Sequence, residues 1–184
     1  MEKFAISNGY NIFKVYDGVY MIHIDNKKDL YGLFGEKIIR GRAMMNFCYR
    51  DIDIRFFLSL KRRNRYKKWL IDIYNTLYIY ENKFALIGID DKSDKSTINH
   101  ELSHAFYYLH EKYRDEQDAN FDKIPIEDIY AMSGRLRGLG YKSCSYKEEI
   151  ISYLSSSSSH CISDKKIRNA ELVNTLRKWK SRLR

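Results

Sequence analysis

Apolar and polar positions alternate in short runs through the first fifty residues, with turn residues between them. In YNIFKVYDGVYMIHI the stretches 12–16 and 19–24 read as two β-strands, because a period of two lays alternate side chains on one face. Asp17-Gly18 between them is a favoured two-residue hairpin turn. Residues 51–76 mix apolar positions with a basic run and predict one or two helices. LYIYENKFALIGID, residues 77–90, holds two runs rich in Tyr, Ile and Phe around Glu81-Asn82-Lys83, which predicts a second hairpin.

Beyond residue 90 the pattern turns helical. DDKSDKST supplies capping side chains, and Thr97 opens a helix expected to reach about Asp115. Pro125 suits a first helical turn, so IEDIYAMSGRLRGLG predicts a helix that Gly138 or Gly140 ends. SYKEEIISYLSSSSS predicts a further short helix. SDKKIRNAELVNTLRKWKSRLR predicts a final amphipathic one with Ile167, Leu172, Val173, Leu176 and Trp179 on one side. The serine run 155–159 reads as a flexible connection between those two helices. The fold class expected is α+β: a β-rich N-terminal part with hairpins, then a helical half.

Length and composition narrow this picture. The 184 residues suffice for one domain with a sizeable core, 1–184, and one Pro with 9 Gly argues against long disordered linkers. Cys48, Cys144 and Cys161 are odd in number and form no CxxC pair, so neither a disulfide framework nor a structural zinc ribbon is expected. No signal-peptide pattern or membrane-spanning run is present, and the expected location is cytoplasmic. The formal net charge of +9 is concentrated in KRRNRYKK, residues 61–68, and RKWKSRLR, residues 177–184. These clusters read as solvated helix faces or, alternatively, as surfaces for nucleic acid or another acidic partner.

The chemistry concentrates in STINHELSHAFYYLH, residues 96–110. His100-Glu101-Leu102-Ser103-His104 is an HExxH pattern. On a helix, four residues advance about 400°, so the two imidazoles lie about 40° apart around the axis and about 6 Å apart along it, within reach of one metal ion. Glu101, on the flank of the same face, can take a proton from a metal-activated water and pass it to a leaving group. The neighbours Ile98, Leu102, Ser103, Ala105 and Phe106 are uncharged, as expected of a ligand helix packed into a core. The bland reading is a helix with two histidines packed or hydrogen-bonded without metal.

TINHELSHAF resembles the extended signature of the zincin superfamily of metallopeptidases over about residues 77–154, the expected metal-site core, with a basic C-terminal helix at about 163–184 outside it. The resemblance implies one Zn2+ ion held by His100 and His104, with Glu101 as general base and a peptide or protein as substrate. In such enzymes an upstream edge strand pairs with extended substrate. For the third ligand two patterns compete. Metzincins, HExxHxxGxxH, would use His110, but Tyr107 stands where their glycine lets the chain leave the helix. If the helix continues, His110 lies about 9 Å beyond His104 and is turned away from it. Gluzincins take a glutamate from a later helix, and KEEIISYL resembles that helix with Glu149 as ligand, Glu148 remaining an alternative. Tyr153, one turn beyond Glu149, would then support a ligand or stabilise an oxyanion.

The chain is also similar to small bacterial and phage HExxH proteins, through His100 to Tyr108, Tyr113-Arg114, Leu139-Gly140-Tyr141 and Glu148 to Leu154. That likeness assigns Glu149 and leaves His110 unassigned. Tyr107, Tyr108 and Tyr141 can line a cleft, although packing is the plainer role for each. His160 with Cys161 is a conceivable soft metal pair that lacks further ligands nearby, and His23 reads as structural. The expected function is therefore that of a gluzincin-like zinc metallopeptidase hydrolysing peptide bonds. The alternative is a catalytically weak or inactive zincin-fold protein that binds nucleic acid or an acidic partner.

Overall fold

The computed structural model describes residues 2–7, 9–34, 38–39, 42–43, 47–50, 65–91, 93–157, 161–163 and 170–183. The architecture is α+β. The chain divides into two compact units, Met1–Lys37 with Met45–Ser93, and Ile38–Met44 with Asp94–Leu183.

The first unit is built on a mixed five-stranded sheet. Strands β1 (Glu2–Ser7), β2 (Tyr10–Tyr16) and β3 (Val19–His23) form an antiparallel meander, and the Asp17-Gly18 turn lies where the pattern places it, with Gly18 at φ 67°. After helix α1 (Lys27–Phe34), a two-stranded ladder of β4 (Ile38–Ile39) and β5 (Arg42–Ala43) belongs to the second unit. Strand β6 (Phe47–Arg50), helix α2 (Arg65–Tyr78) and strand β7 (Ala85–Ile89) complete the first unit. The sheet order is β1-β2-β3-β7-β6, with β7 parallel to β3 and antiparallel to β6. The central strands carry unbroken apolar runs, VYMI and ALI, because both their faces are covered.

The hairpin expected at 77–90 is not formed. Leu77 and Tyr78 end α2, and only the second run becomes a strand. The reason is a period of four that takes precedence over local β propensity: Trp69, Leu70, Ile73 and Leu77 form one buried helix face, leaving Ile79 and Tyr80 exposed in the turn that follows. The expected helix within 51–76 appears as α2 from Arg65 onward; residues 51–64, with half of the first basic cluster, lie outside the described residues.

The second unit is helical: α3 (Lys95–Leu109), α4 (Glu111–Phe121), α5 (Ile126–Leu139), a 3-10 turn at Ser143–Ser145, α6 (Tyr146–Ser155) and α7 (Ala170–Arg182). The single helix expected to reach Asp115 is two. Backbone extension at His110 (φ −119°, ψ 105°) ends α3 and begins α4, which lets Phe106, Tyr113 and Trp179 pack around the joint. Gly140, in the left-handed region at φ 92°, closes α5 as its position in the sequence suggests.

Helix α6 is held by Ile150, Ile151 and Leu154, all fully buried with Met132, Leu136, Ile162 and Leu172. Each such side chain contributes about 1.5–3 kcal/mol of burial. A polar network runs through the same interior. Gln117 Nε2 donates to Tyr113 Oη at 2.8 Å and to Ser155 Oγ at 3.0 Å, and Ser103 Oγ lies 3.1 Å from Tyr113 Oη. It ties α3, α4 and α6 together. The serine run is thus not wholly a linker: Ser155 and Ser156 are buried at the end of α6, and Ser158 and Ser159 lie outside the described residues. On α7, Leu172, Thr175, Leu176 and Trp179 are buried and Val173 is half-buried, while Ile167 lies outside the described residues. Among the described residues no helix is long and apolar enough to cross a membrane.

Candidate metal centre

Helix α3 begins at an Asp94 cap, whose Oδ1 accepts from Thr97 N and Thr97 Oγ1, both at 2.7 Å. This cap sits ahead of the expected start and sets the phase of the helix. His100, Glu101 and Ser103 are then buried on its inner side, with His104 nearly so. Helix α6 packs along α3 and presents Glu148 and Glu149 from its first turn, where the helix dipole favours negative charge.

His100, His104 and Glu149 converge. Their potential ligand atoms all lie within 4.8 Å of one another, and among the described residues no other group of three or more His, Cys, Asp or Glu side chains is gathered in this way. His100 Nε2 is 3.1 Å from His104 Nε2, and Glu149 Oε2 is 3.4 Å from the former and 3.5 Å from the latter. Donors about 2.0–2.2 Å from a shared tetrahedral centre stand about 3.3–3.5 Å apart, so this triangle fits a single ion of that coordination. Glu149 Oε2 is also buried without a hydrogen bond among the described residues, an arrangement that leaves a carboxylate oxygen in need of a cation. The group can hold a metal ion.

The charges point the same way. Burial pushes the Glu149 carboxyl up, but the His104 charge and the contacts with both imidazoles outweigh it and hold Glu149 well below the usual carboxylate range. Burial pushes His104 down, and the charge of Glu149 with the hydrogen bond to Glu148 outweighs it, so His104 titrates well above the ordinary histidine value. Positive charge is favoured at the point where the three groups meet.

Glu148 has a different place from Glu149. His104 Nδ1 donates to Glu148 Oε1 at 2.8 Å, which orients the ring so that Nε2 faces the cluster. His110 is not gathered. Its ring stacks on Trp179 at 5.4 Å between centroids, at the joint of α3 and α4. His23 pairs with Asp91 at 2.8 Å in the first unit, Cys161 is exposed, and His160 lies outside the described residues.

Glu101 is 6% exposed, and its charge acts on both Tyr141 and Tyr153. The Tyr153 ring lies 4.4 Å from that of His100, centroid to centroid, and its hydroxyl is 3.2 Å from that of Tyr141. Burial, with the nearby Glu149, pushes Tyr153 up to about 12, so it remains a proton donor at neutral pH. Tyr141, for which the sequence suggests cleft lining or plain packing, is brought to Tyr153, a contact that the sequence pattern does not indicate. The LGY step carries it there: once Gly140 turns left-handed, Tyr141 N bonds back to Leu136 O at 3.0 Å and the side chain reaches the α6 face. Tyr107, by contrast, donates to Asp118 Oδ1 at 2.7 Å, a packing role between α3 and α4.

No protein-family model, curated protein or solved structure matches this chain.

Proposed function

We propose that the protein is a zinc-dependent metallopeptidase with a gluzincin-like ligand set and a zincin-like arrangement of its helical half. The observation that carries this reading is the donor triangle of His100, His104 and Glu149 on two packed helices, with Glu101 beside it in the sequence order HExxH. Two imidazoles and one carboxylate suit zinc, and three protein donors leave a coordination position for the reaction. When bound there, Zn2+ supplies Lewis acidity toward a carbonyl oxygen and makes water a competent nucleophile at neutral pH.

The residues of the chain do the rest. Glu101 takes a proton from the attacking water as its oxygen bonds to the peptide carbonyl carbon. It then returns that proton to the amide nitrogen as the C–N bond breaks, leaving a carboxylic acid and an amine. Burial of Glu101 strengthens its interactions with charge that develops nearby. Tyr153, still protonated at neutral pH and lying against His100, is the donor assigned to the oxygen that gains charge.

The rival reading, a binding protein using its basic surfaces, draws less support from α7. Lys178 is spent on Glu116 at 3.1 Å, Arg182 reaches the same carboxylate at 4.0 Å, and Lys180 donates to Asn99 Oδ1 at 2.7 Å. The test is a Glu101→Gln variant assayed with a library of unstructured peptides. Zinc content equal to wild type with cleavage reduced by at least about 100-fold is expected. Cleavage at the wild-type rate would refute the mechanism.

A further inference from the structure

The two histidines of the cluster are held in different ways. His104 Nδ1 has a carboxylate acceptor, Glu148, at 2.8 Å. His100 Nδ1 is buried and has no hydrogen-bond partner among the described residues. Histidines that ligate metals through one ring nitrogen almost always anchor the other to an acceptor, which fixes ring orientation. Among the described residues His100 lacks that anchor, yet its Nε2 is within 3.1–3.4 Å of the other two donors. Something else sets the ring.

One neighbouring side chain is placed to do so. The Tyr153 ring stands 4.4 Å from the His100 ring, tilted by 59°, close enough for full van der Waals contact and for a face-to-edge attraction. Tyr153 comes from α6, one helical turn after Glu149, so the element that delivers the carboxylate also delivers this ring. The phenol is in turn secured at its far end by the Tyr141 hydroxyl at 3.2 Å. Tyr141 is carried by the segment after α5, so the pair braces α6 against a different part of the unit.

Building on the metal-centre reading, we propose that Tyr153, locked by Tyr141, is the positioning residue of His100. Ring packing does for His100 what the Glu148 carboxylate does for His104. The two tyrosines act as one clamp: Tyr153 supplies the surface, and Tyr141 keeps that surface from rotating or withdrawing.

The clamp is tested by Zn2+ affinity of the full chain, measured by competition with a chromogenic chelator, together with the Co2+ absorption spectrum as a report on ligand geometry. Tyr153→Leu removes the ring and is expected to weaken Zn2+ binding about 10- to 100-fold and to alter the Co2+ bands. Tyr153→Phe keeps the ring and restores most of the affinity, losing at most about ten-fold. Tyr141→Phe deletes the same hydrogen bond and should lose the same amount. The Tyr141→Phe/Tyr153→Phe double variant should be no weaker than either single, because the one bond is already gone. Wild-type affinity in Tyr153→Leu overturns the clamp, as do losses that add in the double variant, and the phenylalanine set decides if the leucine variant does not fold. A wild-type chain that binds no Zn2+ or Co2+ overturns the metal centre itself, a result distinct from either.

Discussion

Replacing Glu148 by alanine removes the acceptor of the His104 Nδ1 proton and leaves the donor triangle of His100, His104 and Glu149 in place. The bond is 2.8 Å long, links an ionisable ring to a carboxylate, and is only partly open to water. Hydrogen bonds to charged groups contribute about 1.5–3 kcal/mol, which corresponds to a loss of about 10- to 150-fold in metal affinity. The range overlaps the roughly 10- to 100-fold that supporting residues of metal-bound histidines contribute. Glu148→Gln retains an acceptor oxygen and loses only the charge, so its loss should be near the lower end. Glu149→Ala, in contrast, removes a donor of the triangle and leaves two imidazoles, and stoichiometric binding should disappear at micromolar metal. Chelator competition with elemental analysis of purified protein reads all three. If Glu148→Ala abolished metal while Glu149→Ala merely weakened it, the two glutamates would have exchanged roles, and the approach of Glu149 Oε2 to both imidazoles would not be that of a ligand.

Other consequences are more modest. His110→Ala should keep full metal content, because the ring stacks on Trp179 away from the cluster, and should lose about 1–2 kcal/mol in urea unfolding from the lost packing. Gln117→Ala leaves a void and removes the hydrogen bonds to Tyr113 and Ser155, and should cost about 2–4 kcal/mol by the same measurement. Glu116 is pushed up by burial, but the Lys178 hydrogen bond and charge outweigh this and hold its carboxyl below the ordinary value. A lowered folded-state value means stability that is present above the unfolded carboxylate pKa and lost as pH falls through the folded one. Glu116→Gln should therefore flatten the acid side of the stability–pH curve by up to about 1 kcal/mol, the pair being partly solvated, and leave the curve above about pH 6 parallel to wild type.

Much of the site was legible before folding because it is local. His100, Glu101 and His104 lie within five residues, and helix geometry alone brings the two imidazoles together. The Asp17-Gly18 hairpin and the Gly140 stop are local in the same sense, since a positive φ at glycine depends on a few neighbouring residues. The third donor is forty-five residues beyond His104, and there a resemblance, rather than any spacing rule, pointed to Glu149. The 77–90 stretch misled for the opposite reason. Its Tyr and Ile residues favour strand locally, but Leu77 completes a buried helical face begun at Trp69, and burial outweighs propensity.

Sequence by itself determined the helix that carries two imidazoles and a buried carboxylate, because a fixed rise and turn per residue convert spacing into position. Tertiary packing alone decided which of two adjacent glutamates meets those imidazoles. Neighbouring residues on a helix point about 100° apart, so the seating of Ile150, Ile151 and Leu154 in the core turns Glu149 toward both Nε2 atoms and sets Glu148 on the Nδ1 of His104. The same packing carries Tyr141, from a separate segment, to the hydroxyl of Tyr153, a contact that no local pattern encodes.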